Sequence, residues 1–97
     1  MKKKIYKYKL QITDYQEIEV PIGYQILSLD VQDNMPHIWI LIDPLQEEKM
    51  KLKFSFYATG QDIDCGNMKY IDYIGTVHLC NGSLVYHCFF NGGLQST

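Results

Sequence analysis

Tyr6, Tyr8, Leu10 and Ile12 alternate with Lys7, Lys9 and Gln11, and Met50, Leu52, Phe54 and Phe56 alternate with Lys51, Lys53 and Ser55. Side chains two apart share one face of a sheet, so each segment reads as a half-buried strand with a solvated outer face. Thr13–Asp14–Tyr15 separates the first strand from Glu17–Val20; pairing these two strands would set Lys9 opposite Glu19. Pro21 and Gly23 break the chain ahead of Gln25–Gln32, where Leu27, Leu29 and Val31 share a face. Asp33–Pro36 is a turn by composition. With Asn34 and Met35 at its tip, Val31, Leu29 and Leu27 would face Ile38, Ile40 and Ile42.

His37–Ile42 is apolar on both faces, because Trp39 and Leu41 lie opposite the isoleucines. That pattern predicts a central strand covered on both sides, or one whose second face meets another subunit. Pro44–Lys49 has a proline placed to open one short helical turn at most. The last hairpin is the clearest feature: Ile71–Cys80 and Ser83–Phe90 flank Asn81–Gly82, the strongest short signal for a type I′ turn. The register that follows pairs Leu79 with Leu84, Val77 with Tyr86 and Gly75 with Cys88 on one face. On the other, Thr76 meets His87 and His78 meets Val85. About seven short strands separated by turns predict an all-β fold, a single-domain antiparallel sandwich or small barrel.

Composition narrows the class further. The 97 residues suit one domain, expected over residues 1–90, with 91–97 as a flexible C-terminal tail. The longest apolar run, Ile38–Ile42, is too short for a membrane helix, and no apolar stretch follows the basic start MKKKIYKYKL. A cytoplasmic protein without a membrane partner is therefore expected. The net charge is −2, and all nine cations are lysine. Without arginine's planar fork, specific nucleic-acid readout is disfavoured. Three cysteines, Cys65, Cys80 and Cys88, are an odd number with no close pair, as in a reduced protein.

Candidate chemistry gathers on the hairpin. His78, Cys80 and His87 would share its outer face, with Thr76 and Ser83 beside them. Imidazole and thiolate suit zinc, and three such ligands would leave a fourth position open. Polar residues on a solvated face need no ligand to explain them, however, and the spacing matches no metal motif. Cys80 has no glycine elbow or donor pair to make it a nucleophile. Asp62 and Asp64 sit in a segment whose Gly and Asn residues already read as turn chemistry. Lys3, Lys7 and Lys9, with Lys49, Lys51 and Lys53, would form a polyanion patch if their strands were neighbours, although lysines also guard sheet edges. No converging acid, base and pocket is legible, so neither an enzyme nor a cofactor is expected.

The segments KIYKYKL, ILSLDVQDNMPHIWILIDP, FYATGQDI and YIGTVHLCNGSLVYHCF, in this order, resemble a family of small bacteriophage and prophage proteins of uncharacterised function. The resemblance spans Lys4 to Phe89. It departs at Gln61, where members of that family often carry the histidine of a Gly-Thr-Gly-His motif. It implies a compact β domain of mobile-element origin and supplies no activity. Trp39 on the two-faced strand, with Ile74, Val85 and Phe89 on the nominal outer face of the hairpin, marks candidate interface residues. The expected mode of action is contact with a protein partner or self-assembly into a homodimer. A small-ligand or metal-binding module on the hairpin face is the alternative.

Overall fold

A computed structural model describes residues 1–67 and 71–95. Seven strands occur in chain order: β1 (Lys4–Lys9), β2 (Gln16–Pro21), β3 (Gln25–Gln32), β4 (Met35–Ile42), β5 (Lys49–Ala58), β6 (Asp72–Leu79) and β7 (Leu84–Gln95). They form two antiparallel sheets, ordered β1-β4-β3 and β2-β5-β7-β6, so the all-β expectation is met as a sandwich and not as a closed barrel. The inward faces of both sheets build the core. Ile38, Ile40 and Ile42 of β4 share one buried cluster with Leu52, Phe54 and Phe56 of β5 and with Leu10, Val20, Val77, Cys88 and Phe90.

The first two strands do not pair with each other. β1 lies against β4, with Lys9 opposite His37, whereas β2 lies against β5 in the other sheet. Lys51 is thus the residue opposite Glu19, and Lys53 the one opposite Glu17. The crossing is anchored at both ends. The Leu10 amide donates to the Pro36 carbonyl on one side, and the Phe56 amide to the Thr13 carbonyl on the other. Leu10 itself is fully buried between the sheets. Burying that side chain stabilises the fold by ~2 kcal/mol, which favours a crossing over a simple hairpin.

The β3–β4 hairpin also departs from its expected register. Its tip is Asp33–Asn34, both with positive φ (54° and 59°), and Gln32 pairs with Met35. Both central residues of a type I′ turn need positive φ, which Asp and Asn tolerate better than Met, so the tip falls one residue earlier than expected. A bulge between Ile26 and Ser28 then turns Leu27 outward and gives Ile26 its place against the core. No helical turn forms over Pro44–Lys49; Asp43 instead accepts the Leu45 amide at its carboxylate and the Gln46 amide at its carbonyl. Short 3-10 segments occur at Cys65–Asn67 and at the last hairpin tip, Cys80–Gly82.

The β6–β7 hairpin keeps its expected register from Gly75–Cys88 through Leu79–Leu84. Asn81 (φ 56°) and Gly82 (φ 89°) supply the type I′ conformation, closed by the Ser83 amide on the Cys80 carbonyl. Beyond Phe90 the chain stays in the sheet. Gly93, Leu94 and Gln95 pair with Leu52, Lys51 and Met50, so the stretch from Asn91 to Gln95 is strand where a flexible tail was expected. The physical reason is that β5, ten residues long, would otherwise present an unpaired edge.

Candidate functional site

The outer face of the β1-β4-β3 sheet is where Trp39 sits. Pairing sets Ile5 beside Leu41, Lys7 beside Trp39 and Lys9 beside His37; across β4, Ser28 lies beside Trp39 and Asp30 beside His37. One end of this face is apolar and exposed, with Ile5 at 57% and Leu27 at 42% accessibility. Leu27 reaches it only because of the bulge. Ile5, Leu27, Ser28, Asp30 and Trp39 together line a shallow depression of about 280 Å³. The other end is polar. Lys7 Nζ donates to Gln32 Oε1 across β4, and His37 is buried beside it with Nδ1 3.0 Å from the Met35 carbonyl oxygen. An acceptor at that distance requires the proton on Nδ1, so His37 is a structural imidazole.

On the β6–β7 face, Tyr57, Phe89 and Tyr73 form a row of edge-on rings, with centroids 6.0 and 5.8 Å apart. Beside them runs a chain of hydrogen bonds: Tyr73 Oη to Thr76 Oγ1 (2.5 Å), Thr76 Oγ1 to His87 Nδ1 (2.9 Å), and His87 Nε2 to Thr59 Oγ1 (2.7 Å). Val85 and Phe89 share this face as expected. Ile74 does not: a bulge between Tyr73 and Gly75 turns it against the core, and Tyr73 stands outside instead. Tyr57, Thr59 and Tyr73 are functional candidates that the sequence reading missed. Alternation within β5 marks the outward face of Tyr57, but nothing local announces that β7 lies beside it.

The candidate metal trio does not come together. His87 has both ring nitrogens engaged by threonines, while Cys80 is drawn to the other hairpin tip. Its amide donates to Asn34 Oδ1 at 2.8 Å, and Asn34 Nδ2 lies 3.5 Å from its Sγ. His78 is exposed on β6. Among the described residues no three His, Cys, Asp or Glu side chains are grouped to hold a metal ion. The reason is geometric: Cys80 has left the strand for the turn, with φ 50°, so it no longer shares a face with the two histidines.

Other candidates disperse as well. Lys7 and Lys9 lie on one sheet and Lys49, Lys51 and Lys53 on the other, where Lys51 and Lys53 stand opposite Glu19 and Glu17 of β2. Asp64 Oδ1 accepts the Gly66 amide, which is turn chemistry. Gln61, at the departure from the family motif, closes the turn after β5: its amide donates to the Ala58 carbonyl and its Oε1 accepts the Ala58 amide. Cys88 is buried in the core opposite Phe56, and desolvation pushes its thiol up to about 12, away from any nucleophilic use near neutral pH. Among the described residues no helix is long and apolar enough to cross a membrane.

The fold and its faces define a small two-sheet β domain with one tryptophan-centred apolar face and one aromatic–hydroxyl face. Over residues 1–96 the chain matches a domain of unknown function, DUF7352, and it belongs to that family. No curated protein and no solved structure matches it.

Proposed function

We propose that this chain is a non-catalytic contact module whose working surface is the outer face of the β1-β4-β3 sheet. The observation that carries the reading is the seating of Trp39, half-buried at the middle of that face, with Ile5 and Leu27 exposed beside it. Aromatic anchors surrounded by aliphatic side chains and a polar rim are the usual make-up of the energetic centre of protein interfaces. The non-catalytic part of the reading is supported by the imidazoles. His87 is held on both nitrogens by threonines, and His37 is bonded to a main-chain carbonyl. The resemblance to small phage and prophage proteins supports a mobile-element origin and a cytoplasmic place of action.

The test uses Ile5→Glu, which changes an exposed side chain and leaves the core intact. Cross-linking in cells producing the tagged protein is expected to trap a partner with wild type and to lose it with Ile5→Glu, at equal thermal stability. Retention of every cross-linked species by the variant would overturn the reading. A second reading rests on the Tyr57–Phe89–Tyr73 row, in which the exposed Tyr73 ring, backed by Phe89 and the buried Tyr57, offers a stacking surface to a small planar ligand.

A further inference from the structure

The outer face of the β1-β4-β3 sheet is laid out in three rows across the strands. Ile5, Leu41 and Gln25 form the first; Lys7, Trp39 and Ser28 the second; Lys9, His37 and Asp30 the third. The bulged Leu27 sits between the first two rows on the β3 side. The β1 side therefore carries lysines and the β3 side an aspartate, with an exposed aliphatic residue on each side at the same end.

We propose that a second copy of this chain occupies this face, related to the first by a two-fold axis running parallel to β4. The proposal rests on the contact-module reading above and names its partner. Rotation about such an axis exchanges β1 with β3 and leaves the rows in order. Ile5 of one copy then lies over Leu27 of the other, Trp39 over Trp39, and Lys9 over Asp30, twice by symmetry. A two-fold interface must be self-complementary in this way. The alternative in-plane axis, perpendicular to the strands, reverses the rows and stacks Ile5 on Lys9 and Leu27 on Asp30. Both contacts would desolvate a charge against an aliphatic side chain, which is costly. Charge and shape on this face thus favour an axis along β4 over one across the strands.

The size of the face sets the strength of the association. Three strands at ~4.8 Å spacing and eight residues at ~3.3 Å rise make a surface of roughly 14 by 26 Å. That lies below the ~800 Å² per partner of a standard stable interface. The dimer is therefore reversible and grows in with concentration.

Sedimentation equilibrium on the full chain, from micromolar to millimolar concentration, tests this with three variants: Lys9→Asp, Asp30→Lys and the double reversal. Wild type is expected to dimerise. Each single reversal sets like charges opposite each other at two symmetric places and should weaken the dimer about tenfold, and the double reversal should restore it. A chain that is monomeric throughout would overturn the second-copy assignment, while loss of a cross-linked species in Ile5→Glu would still uphold the contact surface. A dimer that survives Ile5→Glu would overturn the second-copy assignment to this face, and only retention of every other cross-linked species as well would sink the contact-surface reading. A dimer sensitive to Ile5→Glu but not rescued by the double reversal would overturn the axis.

Discussion

Cys88 and Cys80 show how differently one residue type behaves in two settings. Cys88 points into the core opposite Phe56, where burial pushes its thiol up to about 12. Cys80 is exposed at the hairpin tip, as is Cys65 in its short turn. Native protein at neutral pH is expected to take up two equivalents of a thiol reagent, at Cys65 and Cys80, and a third only after unfolding. Intact-mass measurement checks this, and three rapid adducts on the folded chain would contradict the burial. The pH sign follows from the raised thiol. Folding favours the protonated Cys88, so this contribution is full below the unfolded thiol's value near 9 and declines as pH rises towards 12. At this scale the sequence reading named His78, Cys80, His87 and Phe89 as neighbours of one face. It succeeded for His78 and His87, which keep their expected pairs, and for Phe89, which faces outward beside Tyr73, and failed for Cys80, which the turn removes from the ladder.

Strands read locally were right in kind and less so in extent. Alternation along β5 revealed which side chains point inward, because period two is a property of the strand alone, whereas β4, apolar on both faces, left its inward side open. Bulges at Leu27 and Ile74 broke that inference, since one extra residue reverses the faces beyond it. The C-terminal stretch was misread for another reason. Asn91, Gly92 and Gly93 look like a loop by composition, yet Asn91 Oδ1 accepts a 2.6 Å hydrogen bond from the buried Ser55 hydroxyl and the following residues pair with β5. Ending the chain after Phe90 is expected to cost ~2 kcal/mol or more, because Ser55 loses its acceptor and Met50–Leu52 lose their β7 neighbours, keeping only those of β2. Urea unfolding would show a lower midpoint. An unchanged midpoint would mean that these pairs contribute nothing.

For the whole molecule, two stacked sheets span 42 × 33 × 16 Å, and the sole tryptophan lies on the outer face of the β1-β4-β3 sheet. Trp39 is thus a built-in reporter of whatever covers that face. Its fluorescence emission is expected to shift to the blue and to become less accessible to iodide as protein concentration rises, in step with sedimentation. Emission that stays constant while the chain associates would place the contact elsewhere.

The sequence by itself determined that the chain is all-β, where most strands begin, and the register of the β6–β7 hairpin. Each of these rests on alternation and on Asn81–Gly82, which act within a few residues. Tertiary structure alone decided that β1 joins β4 and β2 joins β5. It also decided that Asn91–Gln95 extends β7 and that Asn34 clasps Cys80 across 46 positions of chain. Those choices depend on which distant edge is left to be satisfied and on how Leu10 is best buried between two sheets. No short window of sequence contains that information.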